Sequence, residues 1–326
     1  MTDAGTGSTS VPGSRPGVDC VVVGSRGLLG AAVVRAVDAS HDFSLVGTPR
    51  VRWGSPSDAT SDLAEVARSL GARTAPWALF WCAGAGVNGM DRETADHEVG
   101  RFEEFLAEIR RAPSAAPGVV FLASSAGGVF AGASGAPFGE TSPVAPLSEY
   151  GRTKLRLEGA LRVLADVPSV TSVVGRFANI YGPGQDLDKQ QGLISHLCRS
   201  TLQRRPISIF VPLDTLRDYV YVDDAARASL ALVREHRASG ARAELRVVAS
   251  GTATTVATVI TAVAAVAGAK PLIVLGTSPL TSMQGHDLRL RPSTGAADEA
   301  GRTPLGIGIA ATWRDMFARF VVHGRS

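Results

Sequence analysis

The sequence predicts an α/β fold, a doubly wound parallel sheet with a smaller C-terminal lobe. Three observations lead there. Short apolar runs end in glycine or serine, helical stretches alternate with them as far as about residue 180, and beyond that point the alternation breaks down. Near-continuous apolar strands separated by helices build a parallel sheet covered on both faces.

The elements follow in order. The leading MTDAGTGSTSVPGSRPG (1–17) is rich in Gly, Ser, Thr and Pro and lacks the apolar centre of a signal peptide, so a disordered lead-in is expected. DCVVVG reads as a buried strand ending in glycine, and LLGAAVVRAVDAS has helical spacing. FSLVG is a strand, SDLAEVARSLGA a helix, and WALFWCAG a second fully buried strand. A long charged helix over roughly 91–112, the strand GVVFLASS, a helix from near Ser148 and the strand SVTSVVGRF complete the alternation. Residues 18–180 are thus expected to form the sheet domain. Residues 181–326 would form mainly a second lobe, with strand-like DYVYV, LRVVAS and PLIVLG partly returning to the main sheet.

Composition narrows the function. Of 326 residues, 45% are hydrophobic and 19% charged, which suits a chain with a substantial core. A net charge of +3, with its arginines scattered, argues against nucleic acid or a membrane surface as partner. Three widely spaced cysteines form no disulfide framework and no metal-ligand spacing; a reducing, cytoplasmic setting without a metal is expected. The longest apolar stretch, TVATVITAVAAVAGA (254–268), is too short and Ala-rich to span a bilayer and reads as a buried helix.

In open sheets of this kind ligands bind beyond the carboxyl ends of the strands. The first strand ends in GSRGLLG, where Gly24, Gly27 and Gly30 let backbone N–H groups approach a pyrophosphate and Leu28 opens a helix whose N-terminus adds positive partial charge. After the second strand, LVGTPRVRW offers no carboxylate for the adenosine ribose; it carries Arg50 and Arg52, and Arg26 lies inside the glycine turn. Guanidinium groups bind a 2′-phosphate that a carboxylate would repel, so NADP(H) is favoured, with NAD(H) possible.

GVVFLASS places Ser124 and Ser125 at a strand end, and SEYGRTK sets Tyr150 and Lys154 four apart on one face of a helix. A free phenol titrates near pH 10 and is a poor acid–base catalyst at neutrality; a neighbouring ammonium favours its phenolate. With a serine holding the substrate oxygen, such a set moves a proton on or off a carbinol while hydride passes to or from a nicotinamide.

Glycine turn, strand-end serine and Tyr-x-x-x-Lys in this order resemble the short-chain dehydrogenase/reductases. RFANIYGPGQ (176–185) and RDYVYVDDAARA (217–228) make the chain similar to their extended branch, the NAD(P)-dependent sugar epimerase/dehydratase family, over about residues 18–235. The resemblance implies a Rossmann domain, a C-terminal lobe for a nucleotide-linked sugar, and a homodimer formed through helices of the Rossmann domain. It implies catalytic roles for Ser125, Tyr150 and Lys154, and places Phe177 to Asn179 near the nicotinamide and Ala83 and Gly84 near the cofactor ribose. Arg217 would face the substrate diphosphate, with Ser124, Asn179 and Arg289 also on the substrate side.

Departures from the family pattern narrow the chemistry. Ala126 and Gly127 stand where sugar 4,6-dehydratases carry an Asp-Glu pair, so water elimination lacks its acid. VPLDTLRDY lacks the usual glycine-rich turn, and MQGHD lacks the usual preceding arginine, leaving Arg289 and Arg291 after it. His196 and His286 read as structural or exposed, and Asp223 and Asp224 as a helix N-cap with first-turn charge. Reduction of a keto-sugar by NADPH is the favoured reading; a 4-epimerase and a non-catalytic NADP(H) sensor are the alternatives.

Overall fold

The computed structural model describes residues 17–84, 89–189, 191–278, 283–292 and 302–323. The expected disordered lead-in, residues 1–17, lies outside them apart from Gly17.

Six parallel strands form the main sheet: β1 (Val18–Val23), β2 (Phe43–Gly47), β3 (Trp77–Trp81), β4 (Gly118–Ser125), β5 (Val170–Phe177) and β9 (Ala243–Val248), in the order β2-β1-β3-β4-β5-β9. Successive side chains point to opposite faces, so each central strand feeds two cores. In β1, Val18, Cys20 and Val22 enter one core while Val21 and Val23 enter the other; in β3, Ala78 and Phe80 oppose Trp77, Leu79 and Trp81. The first core is closed by α1 (Leu28–Asp38) and α7 (Val222–Ser239). The second is closed by α2 (Pro56–Gly71), α3 (Arg92–Arg111), α5 (Glu149–Ala160) and the 3-10 turn Leu161–Asp166. Burying a side chain such as Phe80 or Phe121, both wholly enclosed, contributes about 1.5–3 kcal/mol.

The β2 side of the sheet is short. Common doubly wound dinucleotide-binding sheets carry a further strand outside this position. Here, among the described residues, β2 is the edge, and residues 48–55 run straight into α2. Ser55 caps α2 by accepting from Asp58 N, and Arg52 pins the connection to the helix through Asp62, with its backbone N–H (2.9 Å) and its guanidinium (2.7 Å) both donating.

Beyond β5 the chain builds two small sheets, β10-β8-β6 (β6 Asn179–Tyr181, β8 Leu216–Tyr221, β10 Ala253–Thr255) and β11-β7 (β7 Ile207–Ile209, β11 Ile273–Leu275). A separate core joins α6 (Leu193–Leu202), α8 (Val256–Ala267) and α9 (Leu305–His323) through Leu197, Val259, Val263, Ile309 and Met316. Most of the 254–268 stretch is α8, which is not a buried helix but buries one face through Val256, Val259 and Val263, and no helix among the described residues is long and apolar enough to cross a membrane. Asp223 and Asp224 do not cap α7, whose N-cap is Tyr221. Asp223 instead pairs with Arg35 of α1 at 2.6 Å, and Asp224 accepts from Thr303 N at 2.6 Å, tying α7 to α1 and to the entry of α9.

Candidate active site

The carboxyl ends of β1, β3, β4 and β5 open into one cleft of about 1650 Å³ that extends under the second lobe. Small-molecule sites usually measure about 300–1,000 Å³, so there is room for two ligands.

One end of the cleft is a backbone cradle. Gly24 has φ +86°, and a Cβ there would stand 2.5 Å from Ala83 N, so only glycine lets the ends of β1 and β3 approach this closely. A Cβ on Gly30 would lie 2.2 Å from Gly24 O; Gly30 seats α1 on the turn and does not itself line the cleft. Gly27 is the N-cap and supplies no side-chain oxygen, which leaves the first N–H groups of α1 unsatisfied beside Ser25, Arg26 and Leu28. Unsatisfied N–H groups at a helix N-terminus suit a pyrophosphate, and a dinucleotide fits this end.

The opposite wall carries the acid–base group. Ser125 ends β4 and caps the single turn α4 (Ala126–Val129), its Oγ accepting from Gly128 N at 3.2 Å, which leaves its O–H able to donate. Gly128 permits the next contact: a Cβ there would touch the Tyr150 ring at 3.1 Å, and a Cβ on Gly151 would stand 2.2 Å from Gly128 O. Two glycines thus bring the start of α5 against α4. Lys154, one turn on, places Nζ 5.6 Å from the Tyr150 ring centroid and 3.4 Å from Glu98 Oε1. Burial alone would pull the Lys154 ammonium down, but Glu98, Tyr150 and Glu158 together hold it above its ordinary value. A phenol, an ammonium and a hydroxyl on one wall can move a proton on or off an oxygen held between them.

The other expected residues divide. Ala83, Gly84, Phe177, Asn179 and Arg217 line the cleft. The Asn179 amide donates to Asp218 O at 3.0 Å, linking β6 to β8. Arg217 is 8% exposed, donates to Leu216 O and His286 O, and has no carboxylate ion pair among the described residues. Burial lowers its guanidinium below the usual arginine range, a setting that favours a bound anion.

Ser124 also lines the cleft, but it is buried and its hydroxyl donates to Glu158 Oε1 at 2.6 Å. Arg289 is drawn onto Asp287 at 2.8 Å and does not line the cleft, nor does exposed Arg50. Arg52 is held by Asp62 and Asp58, so Arg26 is the arginine of the three that reaches the cradle. His196 lines the cleft, but Nε2 meets Lys189 O at 3.0 Å and Nδ1 meets Arg199 Nη2 at 3.2 Å, a structural engagement of both nitrogens.

The sequence pattern of the NAD-dependent epimerase/dehydratase family matches residues 20–247, spanning both the cradle and the Tyr-Lys helix. The chain belongs to that family. Its sequence is 35% identical over 109 residues to the dTDP-4-dehydro-6-deoxyglucose reductase of Escherichia coli, covering 33% of this chain and 34% of that protein. It is 32% identical over 111 residues to a putative UDP-glucose 4-epimerase of Methanocaldococcus jannaschii, 34% of this chain and 36% of that one. Each aligned stretch thus spans about a third of these curated relatives' length. Among solved structures, the Thermotoga maritima UDP-glucose 4-epimerase with UDP-glucose superposes with a TM-score of 0.75 at 20% identity, covering 93% of this chain and 100% of that one. The Thermus thermophilus UDP-glucose 4-epimerase with NAD gives 0.73 at 21% identity, covering 92% and 99%. These likenesses establish the Rossmann-type fold.

Sequence reasoning missed Glu98, Arg101 and Trp53, which also line the cleft. Glu98 looked like one more charge on a charged helix. The signal was its phase: it lies three residues after Ala95 and four before Phe102, both buried, and so faces inward with them.

Proposed function

We propose that this protein is an NADP(H)-dependent reductase acting on a keto group of a nucleotide-activated deoxysugar. The bound dinucleotide would supply the hydride. Tyr150 would deliver the proton to the carbonyl oxygen, Ser125 would donate a hydrogen bond to that oxygen, Lys154 would favour the phenolate left behind, and Arg217 would hold the diphosphate. The residues after Ser125 are Ala126 and Gly127, so no side-chain acid on α4 serves water elimination. Arg26 beside the cradle, and the lack of an acid at the end of β2, support the phosphorylated cofactor.

The observation that carries the reductase reading is Arg26 at the cradle with no acid at the end of β2, since the phosphorylated dinucleotide is the one that suits net reduction. A ketoreductase must exchange its dinucleotide; an epimerase that returns the hydride need not. The 4-epimerase reading draws on the epimerases among the relatives and on a site with nothing beyond Ser, Tyr and Lys.

The test is the dinucleotide retained after gel filtration, followed by turnover on a panel of nucleotide 4-keto-6-deoxysugars. Protein that emerges empty, binds NADPH more tightly than NADH and consumes NADPH stoichiometrically is the expected result. Near-full retention of an oxidised dinucleotide, with sugars interconverted and no net consumption, would establish the epimerase instead.

A further inference from the structure

The Lys154 side chain is 7% exposed and its Glu98 partner 10% exposed, both on the cleft wall. Glu98 reaches it from α3, across the end of β3. Gly84 leaves the space: a Cβ there would stand 3.2 Å from Glu98 Oε1 and 3.3 Å from Lys154 Nζ. The groups facing this ammonium come from several elements. Tyr150 and Glu158 lie on α5, Cys82 follows β3, His97 and Arg101 flank Glu98 on α3, and Arg176 of β5 closes on Glu158. Glu158 is shared between Arg176 and Ser124, so the carboxylate within hydrogen-bond range of Lys154 is Glu98. An ammonium on so enclosed a side chain is favoured by such a counter-charge.

We propose that Glu98 is a positioning residue for Lys154, aiming the ammonium across the cleft and supporting its charge. Glu98 acts on the proton transfer at Tyr150 only through Lys154. The direction of the Lys154 shift agrees, since Glu98 heads the influences that outweigh burial.

The chain has three lysines, Lys154, Lys189 and Lys270, so side-chain NMR of carbon-13-labelled lysine gives a spectrum that Lys154→Met assigns. In cofactor-free protein, Glu98→Gln is expected to move the Lys154 titration to lower pH. An unchanged titration overturns the proposal. If the Gln variant does not fold by circular dichroism, Glu98→Asp, its carboxylate withdrawn by one methylene, must still lower the titration, and no change there overturns the proposal equally. A second readout rests on the reductase reading: Glu98→Gln should lower kcat for NADPH oxidation with a keto-sugar and Glu98→Asp should restore part of it, and an unchanged kcat in Glu98→Gln counts against Glu98. If wild-type protein reduces no keto-sugar at all, that failure belongs to the reductase reading, and the NMR titration still decides the role of Glu98.

Discussion

Lys154 with Glu98 and Glu158 with Arg176 are ion pairs anchored one helical turn apart on α5, with the same burial: in each, the cation's side chain is 7% exposed and the carboxylate's 10%. They differ in setting. Arg176 meets Glu158 through two bonds of 2.7 and 3.0 Å, Ser124 adds a third at 2.6 Å, and the guanidinium lies 5.3 Å from the Phe130 ring centroid. Lys154 meets Glu98 through one contact of 3.4 Å and faces the cleft with the rest of its ammonium. Equal burial therefore does not mean equal roles. The pair inside the fold is closed off by its partners, whereas the ammonium at the cleft stands where a ligand can reach it.

Substitutions can break that contrast. The largest expected effect is on chemistry: Tyr150→Phe should lower kcat by about 10²–10⁴ while leaving the melting temperature unchanged, as steady-state kinetics and calorimetry would show. A loss of stability on the same scale as the loss of activity would mean that the hydroxyl holds the fold together and is not reserved for proton transfer. Next is Glu158→Gln, which strands the buried Arg176 guanidinium and should cost about 3–5 kcal/mol in urea unfolding. Glu98→Gln, at the cleft, should cost much less. Its stability effect should also depend on pH. Because Lys154 is held above its ordinary value, the pairing contributes fully below the usual lysine range and is lost as pH rises through the folded-state value. The melting difference between wild type and Glu98→Gln should accordingly be present at neutral pH and shrink in strong alkali.

Much of the architecture was legible because strand and helix periodicity is a local signal. GVVFLASS coincides with β4, and SVTSVVGRF overlaps β5 except at its first residue. The glycine turn was legible for a physical reason, since at Gly24 no other residue fits. Side-chain partners were not legible. Arg52 and Ser124 are residue types that bind ligands, but each is claimed by a carboxylate that sequence proximity alone does not single out, Asp62 and Glu158 respectively, while Arg289 is claimed by Asp287 two residues before it. Glu98 is the converse, a charge on a charged helix whose partner lies 56 positions on in sequence. The short β2 edge was legible, because FSLVG passes straight to a helical stretch and then to WALFWCAG with no strand pattern between them.

Ser124 and Ser125 repeat the comparison at its smallest scale. They are consecutive on β4, so their side chains point to opposite faces of the sheet. Ser124 serves the closed-off pair; Ser125 caps α4 and keeps its O–H to donate. Ser125→Ala should lower kcat by about 10², the usual loss when one donor to a reacting oxygen is removed, with the lost cap adding about 1 kcal/mol of destabilisation. Ser124→Ala should cost about 1–2 kcal/mol of stability, because Glu158 loses one hydrogen bond but keeps both from Arg176. Its kcat should stay close to wild type, since neither the phenol nor the ammonium loses a partner. Denaturant unfolding and steady-state kinetics on the two variants separate the cases. A Ser124→Ala enzyme with intact stability and a raised KM for the sugar would return Ser124 to the substrate, and would mean that its hydroxyl turns from Glu158 to the cleft when ligand is bound.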